Sequence, residues 1–306
     1  MSKPAQKRAP VVAISAPVEG ALWMIAASTC WALMSAMIRY ISMDLSSLEV
    51  AFFRILFAAV IMIPHMVRNR TGFFPRKHRG LYLLRAALHA SAMLCWFFAL
   101  TMMPLAPATA LYFTAPFFAT VLAVLFLGEV VHTRRWVAVA AGFAGAMLIL
   151  RPGFVAPEWG AILVLGTAVT SAIGRITVRT LTRDQSPNDM VAYNFNILIP
   201  VMLVPALFVW QWPTLEMTAW LAALGVIGAV SHLFMTRAYV VAEASQVAPF
   251  DFTQLIVVSL IGYLAFSEVP DEWTVAGSIL IAGSAIYIAQ REAIARKQKA
   301  KQGAAA

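Results

Sequence analysis

Runs of about twenty apolar residues recur along the whole chain, each closed by charge or by a turn rich in proline and glycine. An α-helix rises about 1.5 Å per residue, so such a run crosses about 30 Å of hydrocarbon. The pattern predicts ten spans: 18–41, 47–67, 81–103, 106–127, 136–150, 159–178, 188–210, 217–237, 244–266 and 273–290. Three long apolar stretches are divided by Pro104–Pro107, Gly128–Arg135 and Arg151–Pro157, and the fifth span is short. The alternating segments of a membrane-spanning strand barrel are absent. The expected fold class is all-α integral membrane, with ten transmembrane helices.

The polar residues between the runs supply an orientation. Lys and Arg favour the cytoplasmic loops of membrane proteins. With an inner N-terminus, 17 of the 23 basic residues fall in inner segments, among them Lys3, Lys7, Arg8, Arg76, Lys77, Arg134, Arg135, Arg296 and Lys297. The acids Asp44, Glu49, Glu158, Glu216, Glu268, Asp271 and Glu272 lean outward. Both termini are therefore expected on the cytoplasmic side of a bacterial inner membrane.

The halves also repeat each other. Val50-Ala51-Phe52 with Pro64 returns as Val191-Ala192-Tyr193 with Pro205, at an offset of 141. Phe113-Thr114 and Glu129-Val130 return as Phe252-Thr253 and Glu268-Val269, at an offset of 139. Five spans per repeat force the second copy to enter the membrane from the opposite face, a recurring arrangement in secondary transporters. The expected organisation is a cytoplasmic tail 1–17, a first five-helix repeat 18–150, an inverted second repeat 151–290 and a basic cytoplasmic tail 291–306.

Composition narrows the function. Of 306 residues, 61% are hydrophobic and 12% charged, against about 25% charged in ordinary soluble domains, which leaves no room for a sizeable extramembrane domain. The net charge of +9 sits in short loops and tails that suit anionic lipid rather than nucleic acid. The first apolar run exceeds the hydrophobic region of a cleaved signal and is read as a retained helix. Cys30 and Cys95 lie inside apolar runs as packing residues. No phosphate-binding loop, paired-histidine metal spacing or serine-nucleophile elbow appears, so neither an ATPase nor any cofactor is expected.

With Leu127-Gly128-Glu129 closing the fourth span before the small-residue segment Ala138–Ala146, and Phe266-Ser267-Glu268 before Gly277–Ser284, the chain resembles the drug/metabolite transporter superfamily. More narrowly it resembles the ten-helix EamA-type branch and bacterial aromatic amino-acid exporters. The likeness covers about Val18 to Gln290, and Arg54 fits the family habit. Ser267 stands where the first repeat has Gly128, and Leu255 where it has Pro116. The resemblance implies alternating-access export of small metabolites, amino acids including aromatic ones. Rival readings are proton-coupled export of other metabolites or toxic cations and, from another class, a membrane-embedded enzyme acting on lipid. A small-molecule substrate and membrane lipid are the expected partners, in a monomer or homodimer.

Polar side chains at bilayer depth are costly and usually face protein or water. Asp251 and His89, each about eight residues into a span, are candidates for coupling and for the substrate path. Trp96, Tyr112, Phe113, His232 and Phe252 join them as path candidates. Pro116 and Pro249 free the carbonyls of Tyr112 and Ser245, which then need another partner. Arg54, Arg175, Glu129 and Glu268 are read as structural charge. Arg54 could also bind a substrate carboxylate, but Glu49 five residues earlier, as an ion-pair partner, or outward snorkelling favours the structural reading.

Overall fold

The structure is a computed structural model that describes residues 16–304, except 70, 71, 76, 128–132, 152–158, 182–186 and 243. Twelve helices are described: α1 (Ala16–Ile41), α2 (Ser47–Asn69), α3 (Arg79–Met102), α4 (Leu105–Tyr112), α5 (Ala115–Leu127), α6 (Thr133–Leu150), α7 (Trp159–Leu181), α8 (Pro187–Leu207), α9 (Leu215–Val241), α10 (Ala244–Asp251), α11 (Thr253–Phe266) and α12 (Glu272–Ala304). Among the described residues seven spans are long and apolar enough to cross a bilayer, and three shorter apolar helices, Trp136–Leu150, Trp159–Gly174 and Glu272–Ile288, complete the ten. With an even count, the start of α1 and the end of α12 lie at the same end of the bundle, called the terminal end below.

Two predicted spans are each broken into two helices. The fourth is α4 and α5, the ninth α10 and α11, and the breaks fall at Phe113-Thr114 and at Phe252, just before Thr253, within the pair repeated in sequence. The cause is local. Pro116 has no N–H for the carbonyl of Tyr112, and the chain tightens instead, with Phe113 N donating to Ala110 O at 3.1 Å and Thr114 N to Leu111 O at 3.0 Å. In the second repeat Pro249 precedes the break, and Leu255 N donates to Phe252 O at 3.0 Å.

The repeats interlock rather than sit side by side. Helix α1 packs on α9 and α7 on α3, a pair of contacts exchanged by the inversion, while α2 meets α8, α4 meets α11 and α6 meets α12. Burial therefore runs through one large core, from Met34 and Ile55 to Phe113, Leu198 and Ile281, with a smaller cluster of Met24, Ala238, Ala242 and Val247 where α1, α9 and α10 meet.

The small residues of the fifth and tenth spans act within the fold. A Cβ on Gly277 would stand 2.6 Å from Gly145 O, and one on Gly145 would stand 2.8 Å from Gly277 O, so α6 and α12 touch backbone to backbone. Gly142 is filled in the same way by the ring of Phe117. Gly277→Val must push these helices apart, an overpacking that costs about 1–3 kcal/mol. The expected result is a lower melting temperature in detergent, by several degrees; an unchanged one would show that the two helices give way freely.

Candidate functional site

One face of α3 organises the centre of the molecule. Arg85, His89, Met93 and Trp96 follow one another at helical spacings of four, four and three, so they form a stripe. His89 Nδ1 lies 2.7 Å from Asn194 Nδ2 on α8, a bond that joins the two repeats. Met93 Sδ lies 3.3 Å from Arg54 Nη1 on α2. Trp96 continues the stripe into a row of rings: Tyr112 at 5.5 Å, Phe113 6.4 Å from Tyr112, and Phe252 4.4 Å from Phe113. The last two rings sit at the two broken spans, so the repeats meet ring to ring where both lose regular helix.

The far wall is α9. Its inward face is buried at Leu221, Leu224, Gly225 and Gly228, where α2 covers it through Phe57 and Arg54. Nearer the terminal end the same face carries His232 and Tyr239, both at the protein surface. His232 packs edge-on against Trp31 at 4.9 Å. The face is thus apolar and covered in one half and more polar and less covered in the other.

The opposite end is closed by polar bonds that cross between the repeats. Glu268 forms an ion pair with Arg39, and its Oε2 accepts from Leu105 N at 2.8 Å. Arg39 also donates to Met103 O at 3.3 Å and lies 5.0 Å over the ring of Phe266. Glu49 Oε1 accepts from Gln211 N at 2.6 Å, and at the same end Arg151, at the junction of the repeats, pairs with Asp271 at 2.6 Å. Hydrogen bonds from Thr274, helped by Arg151, hold the Asp271 carboxyl below the usual carboxylate range. Glu268 is aimed by the turn behind it: Glu268 N donates to Gly262 O at 2.9 Å, and Ser267 takes the left-handed conformation (φ 56°) that glycine adopts more cheaply. Ser267 thus keeps the helix-ending geometry although it stands where the first repeat has glycine.

Several sequence candidates meet at this centre: His89, Trp96, Tyr112, Phe113, His232 and Phe252. Asp251 accepts from Ser28 Oγ at 3.0 Å and ties α10 to α1. Glu268 ties a corner, but the corner belongs to the other repeat. Glu129 and the side chain of Arg175 lie outside the described residues. The Arg54–Glu49 pairing suggested by spacing does not form. Glu49 is fully buried and held by Gln211 N and Ser46 N, the latter at 3.3 Å, in a capping box that Ser46 completes by accepting from Leu48 N. Snorkelling does not occur either, because Arg54 is only 6% exposed. Sequence reasoning passed over Asn194, Trp31 and Met93. Asn194 carried a signal, an amide in the middle of an apolar span; Trp31 and Met93 carried none, since core and lipid-facing positions draw on the same residues.

The model of the EamA-like transporter family matches twice, over residues 18–151 and 158–290. The chain belongs to the EamA-like transporter family. It is a multi-pass membrane transporter and not an enzyme. Its relatives include a riboflavin transporter of Vibrio cholerae, 35% identical over 90% of this chain and 94% of the relative. An S-adenosylmethionine uptake transporter of Rickettsia prowazekii is 27% identical over 92% and 95%, and a pseudopaline exporter of Pseudomonas aeruginosa 28% identical over 89% and 96%. A solved crystal structure superposes with a TM-score of 0.61 at 16% identity, covering 92% of this chain and 98% of its own, which shows a shared fold alone. None of these family members is described as an amino-acid exporter, so the narrower expectation drawn from resemblance gains no support from them.

Proposed function

We propose that this protein is a secondary carrier for a planar heteroaromatic metabolite of vitamin size, of the riboflavin type, working by alternating access. The observation that carries the reading is the row Trp96–Tyr112–Phe113–Phe252, which continues the polar stripe of α3 and ends at the point where the repeats meet. Ring faces at such spacings suit a flat, extended π-system. The 35% identity to a riboflavin transporter over almost the full length of both chains points the same way.

The difference between the two ends supports alternating access. Polar bonds between the repeats tie one end, and the less covered His232 face is taken as the open one. Rocking of one repeat against the other reverses this around a fixed centre. With both termini in the cytoplasm of a bacterial inner membrane, as the basic loops suggest, the open end faces inward. The carrier is a substrate-gradient facilitator: Asp251 is the one acid deep within a span, and it is engaged by Ser28. A proton relay needs groups in series.

Purified protein in liposomes, offered labelled riboflavin, tryptophan and S-adenosylmethionine with and without a pH gradient, tests this. Saturable riboflavin flux down its gradient, insensitive to pH difference, is expected. A strict requirement for a pH gradient defeats the facilitator mechanism. Tryptophan flux without riboflavin flux restores the export of aromatic amino acids as the better reading.

A further inference from the structure

We propose that Arg54 anchors the substrate by donating hydrogen bonds to a carbonyl or anionic edge of the flat ring, a refinement that rests on the transport reading above. A guanidinium cannot shed its charge, and placing it within a span costs about 2.5–3.5 kcal/mol on insertion scales. Proteins offset that cost with a carboxylate, with backbone carbonyls or by reaching the interface. Arg54 uses none of these. Glu49, five residues away, is fully engaged by two backbone amides. The side chain is 6% exposed, Nη1 donates to the thioether of Met93 at 3.3 Å, and Nε has no partner. A thioether is a weak acceptor. The guanidinium is therefore short of acceptors while enclosed by protein, which is the condition of a binding group awaiting its ligand.

The surroundings are built for the same purpose. Helix α9 carries a glycine where the guanidinium passes: a Cβ on Gly228 would stand 3.4 Å from Arg54 Nη2, in van der Waals contact. Trp96 lies one turn beyond Met93 and opens the aromatic row. A bare cation is disfavoured, because Arg54 and Arg85 bracket the α3 stripe, Arg54 at Met93 and Arg85 one turn before His89. Asn194 Oδ1, buried and without a partner, is a second unsatisfied polar atom beside His89. The ligand chemistry that fits is an aromatic ring with acceptors along one edge and no net positive charge. A flavin presents such an edge in its pyrimidinedione.

Riboflavin transport in liposomes, followed as initial rate against concentration, decides the matter. Arg54→Gln is expected to raise KM at least tenfold while Vmax changes less, and Arg54→Lys to recover part of the loss, since lysine keeps the charge without the fork. A competition series on the unaltered protein covers the case in which the variants fail to fold. Lumiflavin, which keeps ring and dione but lacks the sugar chain, is expected to inhibit riboflavin flux. Proflavine, a flat tricyclic cation with no carbonyl, is expected not to. Unchanged KM in Arg54→Gln, or equal inhibition by the two dyes, overturns the anchor. Riboflavin flux absent from the unaltered protein overturns the transport reading itself.

Discussion

Glu268→Ala will reduce riboflavin flux to below about a tenth of the wild-type rate, and Glu268→Gln will fall between the two. The carboxylate serves a cation and a backbone amide at once, Arg39 and Leu105 N, and both belong to the other repeat. Hydrogen bonds to charged groups contribute about 1.5–3 kcal/mol each. Arg39 and Glu268 keep some solvent access, with side chains 22% and 12% exposed, so a loss near the lower end, about 2 kcal/mol, is the fair expectation. In the alternating-access cycle proposed above these bonds belong to the state closed at this end, so their loss falls on one of the two states and shifts the balance about 30-fold. Glutamine keeps an acceptor for Leu105 N and loses the ion pair, hence its intermediate position. Flux alone does not separate a gating defect from damage. The second readout is maleimide labelling of Tyr112→Cys, in a background without Cys30 and Cys95, from the face opposite the termini. Labelling will rise in Glu268→Ala. Wild-type flux together with unchanged labelling would show that Glu268 merely ties a corner.

Phe252→Ala and Phe113→Ala will each cost at least tenfold in flux, and the double variant will lose little more than the worse single one. The two rings lie 4.4 Å apart at the broken spans, and Phe113 is buried. Removing either ring takes away the same contact between repeats, so the effects cannot add. A ring pair of this kind contributes about 0.5–1.5 kcal/mol beyond its buried area, and truncating a core phenylalanine costs about 3–5 kcal/mol. Phe113→Ala therefore also lowers thermal stability, more than Phe252→Ala, whose ring is half-buried. Measuring flux and melting temperature for the four proteins of the cycle separates the two contributions. Full additivity in flux would show that the rings act separately and that their stacking is incidental.

Much of this was legible in the chain before any coordinates. The helix count follows from run length, because a span without water must satisfy its own backbone and can do so only as a helix. The inverted halves were visible in the offsets of 141 and 139, and the residues carrying the second, Phe113-Thr114 and Phe252-Thr253, mark the places where the spans break. Proline chemistry foresaw a freed carbonyl at Tyr112, though not that the helix would end there. Glu268 was recognised as a tie, without its partners. Arg54 went the other way: spacing offered Glu49, and the fold gave Glu49 to the amide of Gln211, 162 residues away.

The sequence by itself thus determined the solvent, the number of crossings and the inversion of the repeats, since each depends only on segment length, composition and the order of charge. Tertiary structure alone decided which face of each helix looks inward, and with it the partners of Arg54, Glu49, Asp251 and Glu268. In water an amphipathic stripe would have announced that face. Within a bilayer the lipid side is as apolar as the core, so rotation about the helix axis leaves little trace in the pattern of residues and is set by packing.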